Sequence, residues 1–452
     1  MDSQANELLK QSRTGSLFSM WASLLERLFP DPFTLSLLLS LATIVFAKIW
    51  TPHGFTELVT FWGSGLWDFL RFAMQMALVL VAGQALAESP PVSRLLNKLA
   101  GVPKSMSQGV LVVSSFAMLG AWFNWGFGLV VGALLARRVS DSLARLLGED
   151  RVSRPLLGAA GYTGLAFWHA GLSGSAPLAV AQADHLLADK IGALPLASTV
   201  FSSQNLVLSA LLLVLVPLFL VGLNLVGFVV YGEEVESELE LTRFARPKWY
   251  ELTLVLSVSL LALFWWIHVR PGLGLNIIIF FFLFLGLAAH GSPRSYAAAI
   301  DRAVRGISGI VLQFPFYAGI AGVAAKSGLV VLISGQFVSL SQGVESALGF
   351  QPFLVFVFLS AGLANLFIPS GGGQWVIQGP VVIEASEKLG LDPGTAIMAI
   401  AYGDQWTNLL QPFWALPVLA ITGLKPAQLL SVTTLLLIWM GLLVALALLF
   451  LF

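Results

Sequence analysis

The sequence predicts an all-α polytopic membrane protein made of two inverted repeats, each with a re-entrant hairpin and a broken helix. Of its 452 residues, 57% are hydrophobic and only 11% are charged, whereas soluble domains carry about 25% charged residues. The mean hydropathy is +0.85. Several apolar runs approach the ~20 residues that span a bilayer as a helix. The clearest runs are 33–49, 206–231, 252–269, 273–290 and 429–452.

Four interruptions break the apolar sequence in a pattern that indicates a ligand site. The clearest lies in residues 364–380, where Pro369, Ser370 and three consecutive glycines separate two apolar segments. Inside a membrane, broken backbone is tolerated only where it is buried in protein or lines a cavity. We therefore predict that the four interrupted segments line the ligand site. These segments are the hairpins 105–139 and 352–389 and the broken helices 156–180 and 396–421.

The second half of the chain repeats landmarks of the first half at a separation of about 240 positions. Interrupted apolar segments at corresponding positions of two halves indicate the binding site of a transporter. We predict a first repeat over 31–231, a cytoplasmic linker over 232–250 and a second repeat over 251–452. The matching pairs are Gln75 and Gln313, Asn124 and Asn365, Tyr162 and Tyr402, and Pro177 and Pro417.

The distribution of basic residues predicts the orientation of the chain. With a cytoplasmic N-terminus and hairpins that return to the side they entered from, most of the 24 Lys and Arg residues lie inside, as the positive-inside rule requires. The two halves then cross the membrane in opposite directions, so the repeats are inverted. We expect a multi-pass protein of a bacterial inner membrane, in which residues 1–30 form a tail and an interfacial helix anchored by Trp21.

Composition and motifs exclude several other classes. The absence of cysteine excludes disulfides and thiolate metal sites, and a formal net charge of zero gives no indication of a nucleic-acid partner. No HExxH or GxSxG motif and no obvious pair of catalytic aspartates is found, which disfavours an intramembrane enzyme. We expect no catalytic residues, no metal site and no organic cofactor.

The four breaks carry the motifs FNWGFGLVVGA (123–133), GLSGSAPLA (171–179), PSGGGQWVIQGPVV (369–382) and AYGDQWTNLLQPFWALP (401–417). These motifs resemble the short-chain fatty acid transporter family, which includes acetoacetate and butyrate carriers within the ion-transporter superfamily. The resemblance runs over nearly the whole chain. It implies the ion-transporter superfamily fold, with a scaffold that forms a homodimer. It also implies a transport domain, formed by the two hairpins and the two broken helices, that moves as an elevator. The spans expected in the scaffold are 33–50, 72–87, 198–231, 252–290 and 429–452.

A small monocarboxylate needs hydrogen-bond donors for two oxygens and an apolar wall for a short tail. Helix N-termini can hold a carboxylate without a buried arginine, and no Lys or Arg lies at any of the four breaks. Trp168, Trp375, Trp406 and Phe413 are candidate walls. The candidate substrate-binding residues are Asn124, Gly126, Gly128, Ser173, Ser175, Asn365, Ser370, Gly371, Gly372, Gly373, Gln374, Trp375, Thr407, Asn408 and Gln411.

Each of these assignments has a structural alternative. The glycines at the hairpin tips can serve close helix packing, as small residues do in membranes. The asparagines can cap helices without touching a ligand. Tryptophans near breaks are more often packing residues than ligand walls.

Asp404 and His169 are the candidates for ion coupling. An ionisable group in a membrane segment costs about 2.5–3.5 kcal/mol on insertion scales and is a functional candidate by default. Asp404 would carry a proton or help to bind a sodium ion, and a histidine titrates near neutrality. The alternatives are a helix-capping aspartate and a hydrogen-bonded structural histidine. Glu88 and Glu384, near segment ends, are expected to be solvated.

The favoured function is secondary active transport of short-chain fatty acids, as a symport coupled to H⁺ or Na⁺. The first alternative is a carrier of another small anion, such as a dicarboxylate or an amino acid, although a dicarboxylate would favour a buried arginine. A second alternative is an ion channel, although paired breaks in two halves fit alternating access better. The expected partners are the substrate, the lipid bilayer and a second copy of the chain.

Overall fold

The structure, a computed structural model, describes residues 20–21, 31–229, 231, 248–269, 275–349 and 351–452. The tail and interfacial helix predicted over 1–30 therefore lie outside the described residues, apart from Met20 and Trp21. The same holds for most of the linker predicted over 232–250.

All regular secondary structure in the described residues is helical. The first half contains α1 (Pro32–Trp50), α2 (Phe55–Gly65), α3 (Leu70–Glu88), α4 (Pro90–Ala100), α5 (Met106–Phe123), α6 (Trp125–Leu147), α7 (Arg154–Tyr162), α8 (Ser175–Val180), α9 (Ala188–Ile191) and α10 (Ser203–Leu225). The second half contains α11 (Trp249–Val269), α12 (Leu275–His290), α13 (Pro293–Val304), α14 (Ser308–Lys326), α15 (Leu329–Leu348), α16 (Phe353–Asn365), α17 (Gly371–Lys388), α18 (Pro393–Thr407), α19 (Pro412–Thr422) and α20 (Pro426–Phe450).

Seven helical stretches in the described chain are long and apolar enough to cross a membrane. The prediction of an all-helical, multi-pass membrane protein is therefore confirmed, whereas the inverted relation of the two halves stays a prediction. The seven stretches are Pro32–Trp50, Phe55–Glu88, Met106–Phe123, Ser203–Leu225, Trp249–Val269, Pro293–Lys326 and Pro426–Phe450.

Helix starts follow ordinary capping chemistry. At α1, Asp31 accepts hydrogen bonds from the amides of Phe33 (3.1 Å) and Thr34 (3.0 Å), and Pro32 occupies the first helical position. At α18, Asp392 accepts from the amide of Thr395 at 2.9 Å. These side chains pair amides that have no partner inside their own helix, so both helices begin where the sequence changes from polar to apolar.

The helices pack in two groups. The frame group comprises α1, α2, α3 and α11–α14, and the hairpin group comprises α5–α8, α10 and α16–α20. Helices α4 and α15 each contact both groups, and the short helix α9 is assigned to neither. The hairpin group contains both predicted hairpins and both predicted broken helices.

Two spans expected in the scaffold, 198–231 and 429–452, pack with the hairpin group, and their place in a scaffold stays a prediction. Asn205 on α10 donates to the carbonyl of Ala170 (2.9 Å) and accepts from the hydroxyl of Tyr402 (2.8 Å). The indole of Trp406 on α18 donates to the carbonyl of Leu437 on α20 at 2.7 Å. Hydropathy shows that a run crosses the membrane, but it does not show which neighbours the run packs against.

Aromatic side chains fill the contact between the two groups. Phe314 of the frame group stacks on Phe413 with ring centroids 4.1 Å apart. Phe72, also in the frame group, lies 5.9 Å from Trp414 and 6.3 Å from Trp125. This part of the boundary between the groups is therefore held mainly by apolar packing, which has no fixed direction.

The expectation of a solvated glutamate holds at one of two positions. Glu384 is more than half exposed and pairs with Lys388 at 2.8 Å. The Glu88 side chain is only 12% exposed and pairs with Arg302 at 2.6 Å, so the expectation is wrong there. Arg302 lies on a helix far along the chain from Glu88. The position of Glu88 near a segment end therefore could not predict this ion pair.

We predict that Gly403→Ala destabilises the protein by about 1–3 kcal/mol, the usual result of forcing an extra methyl group into a packed interior. A Cβ at Gly403 would overlap the carbonyl oxygen of Phe358, where α18 crosses α16. The measurement is thermal unfolding of the purified variant. Gly222→Ala is the control, because a Cβ there meets nothing within 4 Å. Equal stability of the two variants would contradict the close approach of α16 and α18.

Candidate functional site

The tip of the first hairpin lies between α5 and α6, and the protein itself pairs the amides there. Asn124 Oδ1 accepts from the amides of Gly126 (3.0 Å) and Phe127 (3.2 Å). Ser173 Oγ accepts from the amide of Trp125 at 3.0 Å. The first turn of α6 is therefore closed, because each of these amides already has an acceptor inside the protein.

Gly128, one residue further along α6, serves helix packing. A Cβ at this position would overlap the backbone and side chain of Ala121 on α5. Its amide donates to the carbonyl of Asn124 at 2.9 Å. At the first tip the structure thus favours the capping and packing alternatives for Asn124 and Gly128.

The tip of the second hairpin differs from the first. Ser370 Oγ accepts from the amide of Gly373 at 3.3 Å, and no acceptor among the described residues pairs with the amides of Gly371 and Gly372. Gly371 is buried. The first turn of α17 is therefore open, with two donors at the positive end of the helix dipole.

The open turn faces the broken helix of the first half. A Cβ on Gly371 would lie 2.6 Å from His169 Cε1 and 3.2 Å from Trp168 Cη2, and one on Gly372 would lie 3.9 Å from Ser175 Cβ. The Trp168 indole is only 4% exposed, and its Nε1 finds no acceptor in the described chain. Three unpaired donors, two amides and one indole N–H, thus belong to neighbouring residues beside Ser175.

The two ion-coupling candidates are in direct contact. His169 Nδ1 lies 3.1 Å from Asp404 Oδ1, and both side chains are buried. The amide of Ala176 donates to His169 Nε2 at 3.2 Å. Because Nε2 accepts, Nδ1 carries the hydrogen and donates to Asp404. Asp404 Oδ2 has no hydrogen-bond donor among the described residues.

Gln405 is a site residue that the sequence analysis missed. Its Oε1 accepts from the amides of His169 (2.9 Å) and Ala170 (3.2 Å), and its side chain is fully buried. Gln405 therefore fixes the backbone of the first break onto the second. Its position beside Asp404 in a broken helix could have identified Gln405 as a site residue from the sequence.

Most of the other predicted residues hold the second hairpin against the second broken helix. Asn365 Nδ2 donates to the Asp404 carbonyl (2.9 Å), Thr407 Oγ1 (3.0 Å) and Asn408 Oδ1 (2.9 Å). Gln411 Nε2 donates to the Asn365 carbonyl at 2.6 Å. These side chains build the core of the site, and each amide nitrogen already donates to an acceptor inside the protein.

Gln374 and Trp375 also face the interior of the hairpin. Gln374 Nε2 donates to the carbonyl of Ala361 and to Gln378 Oε1, both at 2.9 Å. Trp375 is 2% exposed and packs against Gly379. The open turn therefore brings together Gly371, Gly372 and Ser175 of the predicted binding residues, with Trp168 of the predicted walls.

The charges in and around the site are few. No Lys or Arg lies at any of the four breaks themselves. Within the described residues there is no group of three or more His, Cys, Asp or Glu side chains that could hold a metal ion. Asp404 is thus the one carboxylate that the breaks contribute to the buried site.

Two interrupted hairpins and two broken helices, buried within a helical protein with seven candidate spans, define a multi-pass membrane protein with an interior polar site. The chain belongs to the short chain fatty acid transporter family, whose profile matches residues 14–225 and 245–451. It is therefore a member of a transporter family and not an enzyme.

Two similar proteins carry the description "Putative short-chain fatty acid transporter". One, from Escherichia coli (strain K12), is 39% identical over 91% of this chain and 93% of its own length. The other, from Haemophilus influenzae, is 36% identical over 88% of this chain and 91% of its own length.

Two solved transporter structures are more distant. The YdaH transporter of Alcanivorax borkumensis is 17% identical and has a TM-score of 0.42, over 92% of this chain and 98% of that chain. MtrF of Neisseria gonorrhoeae is 16% identical and has a TM-score of 0.41, over 94% of this chain and 96% of that chain. At this level of likeness neither structure indicates a substrate or a mechanism.

We predict that Asn124→Ala lowers stability by about 1 kcal/mol, the usual effect of losing an N-cap, whereas Asn124→Ser retains most of it. Serine also accepts from amides of the first helical turn, but it removes the carboxamide donor. The measurement is thermal unfolding together with substrate uptake. If Asn124→Ser has normal stability but no uptake, the Asn124 carboxamide contacts the substrate. That result would contradict a purely capping role for Asn124.

Proposed function

We propose that this protein is a secondary active transporter of short-chain monocarboxylates, such as butyrate and acetoacetate, coupled to an ion. The observation that carries the proposal is the open first turn of α17. There the amides of Gly371 and Gly372 and the indole N–H of Trp168 have no acceptor in the described chain. The family and the descriptions of its relatives support the same substrate class.

The donor set suits a single carboxylate. Amides at a helix N-terminus bind anions through their N–H groups and the helix dipole. The Trp168 indole supplies a third donor, and the Ser175 hydroxyl lies beside Gly372. A dicarboxylate or an amino acid remains the alternative substrate, but each carries a second charged group. No basic residue at the breaks is available for a second carboxylate.

Aromatic rings provide the apolar wall for a short tail. Trp168 lies 6.3 Å from Trp125, which lies 5.2 Å from Trp414, and Trp414 lies 5.1 Å from Phe413, measured between ring centroids. Trp406, another predicted wall, packs instead between Gly362 and Gly441. We assign the tail to the side of Trp168 that faces Trp125.

Ion coupling belongs to the Asp404–His169 pair in this proposal. Both nitrogens of His169 are already engaged, one by the Ala176 amide and one by Asp404. The one acceptor of the pair that has no donor among the described residues is therefore Asp404 Oδ2. A proton or a sodium ion at this oxygen would balance a buried negative charge that is otherwise costly.

The transport cycle that we propose is an elevator movement of the hairpin group against the frame group. The apolar contact around Phe72, Phe314 and Phe413 supports it, because such contacts can exchange without breaking hydrogen bonds. We also propose a homodimer in a bacterial inner membrane, with a cytoplasmic N-terminus as the distribution of Lys and Arg favours. A channel is the remaining alternative, and saturable flux at low turnover would exclude it.

The test is uptake of labelled butyrate into proteoliposomes under a proton gradient alone and a sodium gradient alone. We predict uptake under one of these gradients. Trp168→Phe raises the KM about tenfold or more, because a hydrogen bond to a charged group contributes about 1.5–3 kcal/mol. Phenylalanine keeps an aromatic ring and removes the donor.

The matched control for this variant is Trp62→Phe. Trp62 also has a buried indole nitrogen without an acceptor in the described chain, but it stands on α2 in the frame group. Its KM is expected to equal that of the parent protein. No butyrate uptake by folded parent protein would reject the substrate class, and an unchanged KM in Trp168→Phe would remove the indole from the site.

We predict that a disulfide between the two groups abolishes transport. A Cβ on Gly306 of the frame group would lie 3.4 Å from Cβ of Ala420 on α19, close to the separation of about 3.5–4.5 Å in disulfides. The chain has no cysteine of its own. In the double variant Gly306→Cys/Ala420→Cys, oxidation should stop butyrate uptake and reduction should restore it.

The two single-cysteine variants are the controls, and both should transport under oxidising and reducing conditions. Gel mobility after cleavage between the two positions reports the fraction that is crosslinked. Full uptake by fully crosslinked protein would exclude movement of α19 against the frame group.

A further inference from the structure

We infer that three buried oxygens, Asp404 Oδ2, Asn365 Oδ1 and Gln374 Oε1, form a binding site for a small monovalent metal cation such as Na⁺. Asn365 and Gln374 are fully buried and Asp404 is 1% exposed. None of the three oxygens has a hydrogen-bond donor among the described residues. Buried acceptors without a partner are rare and costly, and oxygen atoms are the ligands that hard cations take.

The orientation of both amide groups is fixed by their other contacts. Asn365 Nδ2 donates to three acceptors, among them the Asp404 carbonyl and Asn408 Oδ1. Gln374 Nε2 donates to the carbonyl of Ala361 and to Gln378 Oε1. If the N and O atoms of either amide group were exchanged, the amide oxygen would face the acceptor oxygens that the nitrogen now bonds. The unpaired atoms are therefore oxygens.

The three residues belong to one closed ring of contacts. Asp404 Oδ1 meets His169 Nδ1, and the His169 ring touches Gly371, which lies on the same turn of α17 as Gln374. Gln374 then bonds Ala361, one turn before Asn365 on α16.

Asn365 closes the ring, because its Nδ2 bonds the carbonyl of Asp404 at 2.9 Å. The second hairpin and the second broken helix thus contribute all three oxygens. The side chain of Gln405 carries an unpaired donor, Nε2, but that atom reaches no acceptor in the described chain, so it pairs with none of the three.

Charge and dipole direction favour a single positive charge. One carboxylate balances one monovalent cation, and no Lys or Arg stands in the surrounding breaks. Asn365 is the last residue of α16, and the C-terminal end of a helix attracts cations. Ends of half-helices coordinate Na⁺ in interrupted transporter helices by the same physics.

A cation satisfies more of these atoms than a proton does. A proton on Asp404 Oδ2 creates one donor, which can pair with one of the two amide oxygens and leaves the other unpaired. A cation accepts electron pairs from all three. This difference selects the cation over the proton as the ion held here.

The consequence for transport rests on the proposed function. The first turn of α17 carries Gly371, whose amide is assigned to the substrate carboxylate, and Gln374, whose oxygen is assigned to the cation. Ordering that turn for one ligand therefore orders it for the other, which is a coupling free energy between two sites.

The test measures cation binding by the purified full-length protein without any substrate. Thermal unfolding is followed while NaCl replaces choline chloride at constant ionic strength. A ligand that binds only the folded state raises the unfolding temperature in a saturable way. We expect this rise with Na⁺, or with K⁺, in the parent protein and none with choline.

Asp404→Asn keeps an oxygen for His169 and removes the charge, so we expect the apparent Kd for Na⁺ to rise about tenfold or more. Asp392→Asn is the matched control on the same helix, because asparagine caps as well as aspartate at its exposed N-cap. Its response should equal that of the parent. Gln374→Met, which removes one oxygen and no charge, provides a second variant if Asp404→Asn does not fold.

A parent protein that responds to Na⁺ and choline alike would overturn the site. An unchanged Kd for Na⁺ in Asp404→Asn would also overturn it. If Asp404→Asn does not fold, an unchanged Kd in Gln374→Met has the same meaning. Butyrate uptake driven by protons in sodium- and potassium-free medium would overturn it and leave the proposed function intact. Cation binding without butyrate uptake would reject the substrate class and retain the site.

Discussion

The interior of this protein depends on one constraint, which is that backbone amides freed by a helix break inside a membrane need partners. At the first break the protein supplies them, through Asn124 and Ser173. At the second break it leaves the amides of Gly371 and Gly372 without an acceptor among the described residues. Unsatisfied amides are costly in this environment. In the proposed function the closed tip is therefore structural, and the substrate supplies the acceptor that the open tip lacks.

The broken helices of the two halves are tied together by hydrogen bonds that cross the chain. Tyr162 donates to the carbonyl of Asn408 at 2.7 Å, and Asn408 donates back to the carbonyl of Leu165 at 3.1 Å. Gln405 and Asp404 hold the backbone and ring of His169. Directional bonds of this kind make the hairpin group stiff. Its boundary with the frame group around Phe314 and Phe413 is formed by ring packing, although elsewhere the Arg138 guanidinium donates across the boundary to the carbonyl of Ala87 at 3.2 Å.

The sequence predicted the positions of the breaks because proline, glycine and asparagine act locally on the backbone. It predicted the spans because hydropathy measures burial in lipid. It did not predict that Asn124 and Asn365 act differently, although they stand at matching positions. Asn124 caps its own hairpin, whereas Asn365 bonds a helix 39 or more residues away. The packing of α10 against the hairpins and the pairing of Glu88 with Arg302 were not predicted, for the same reason. Contacts between segments that are distant in the chain cannot be predicted from local composition.

No Lys or Arg lies at the four breaks, which suits the proposed carrier, because a carrier must release what it binds. A bidentate arginine holds a carboxylate through two charge-assisted bonds that are about twice as strong as neutral ones. The amides and the indole of the proposed site would hold it more weakly, with the proposed cation next to the same helical turn. If the cation left, the buried carboxylate of Asp404, which contacts the His169 ring beside Gly371, would be uncompensated. Repulsion between two negative charges in a medium of low dielectric would then weaken substrate binding. Loss of the cation would promote release of the anion, as an ion-coupled transporter requires.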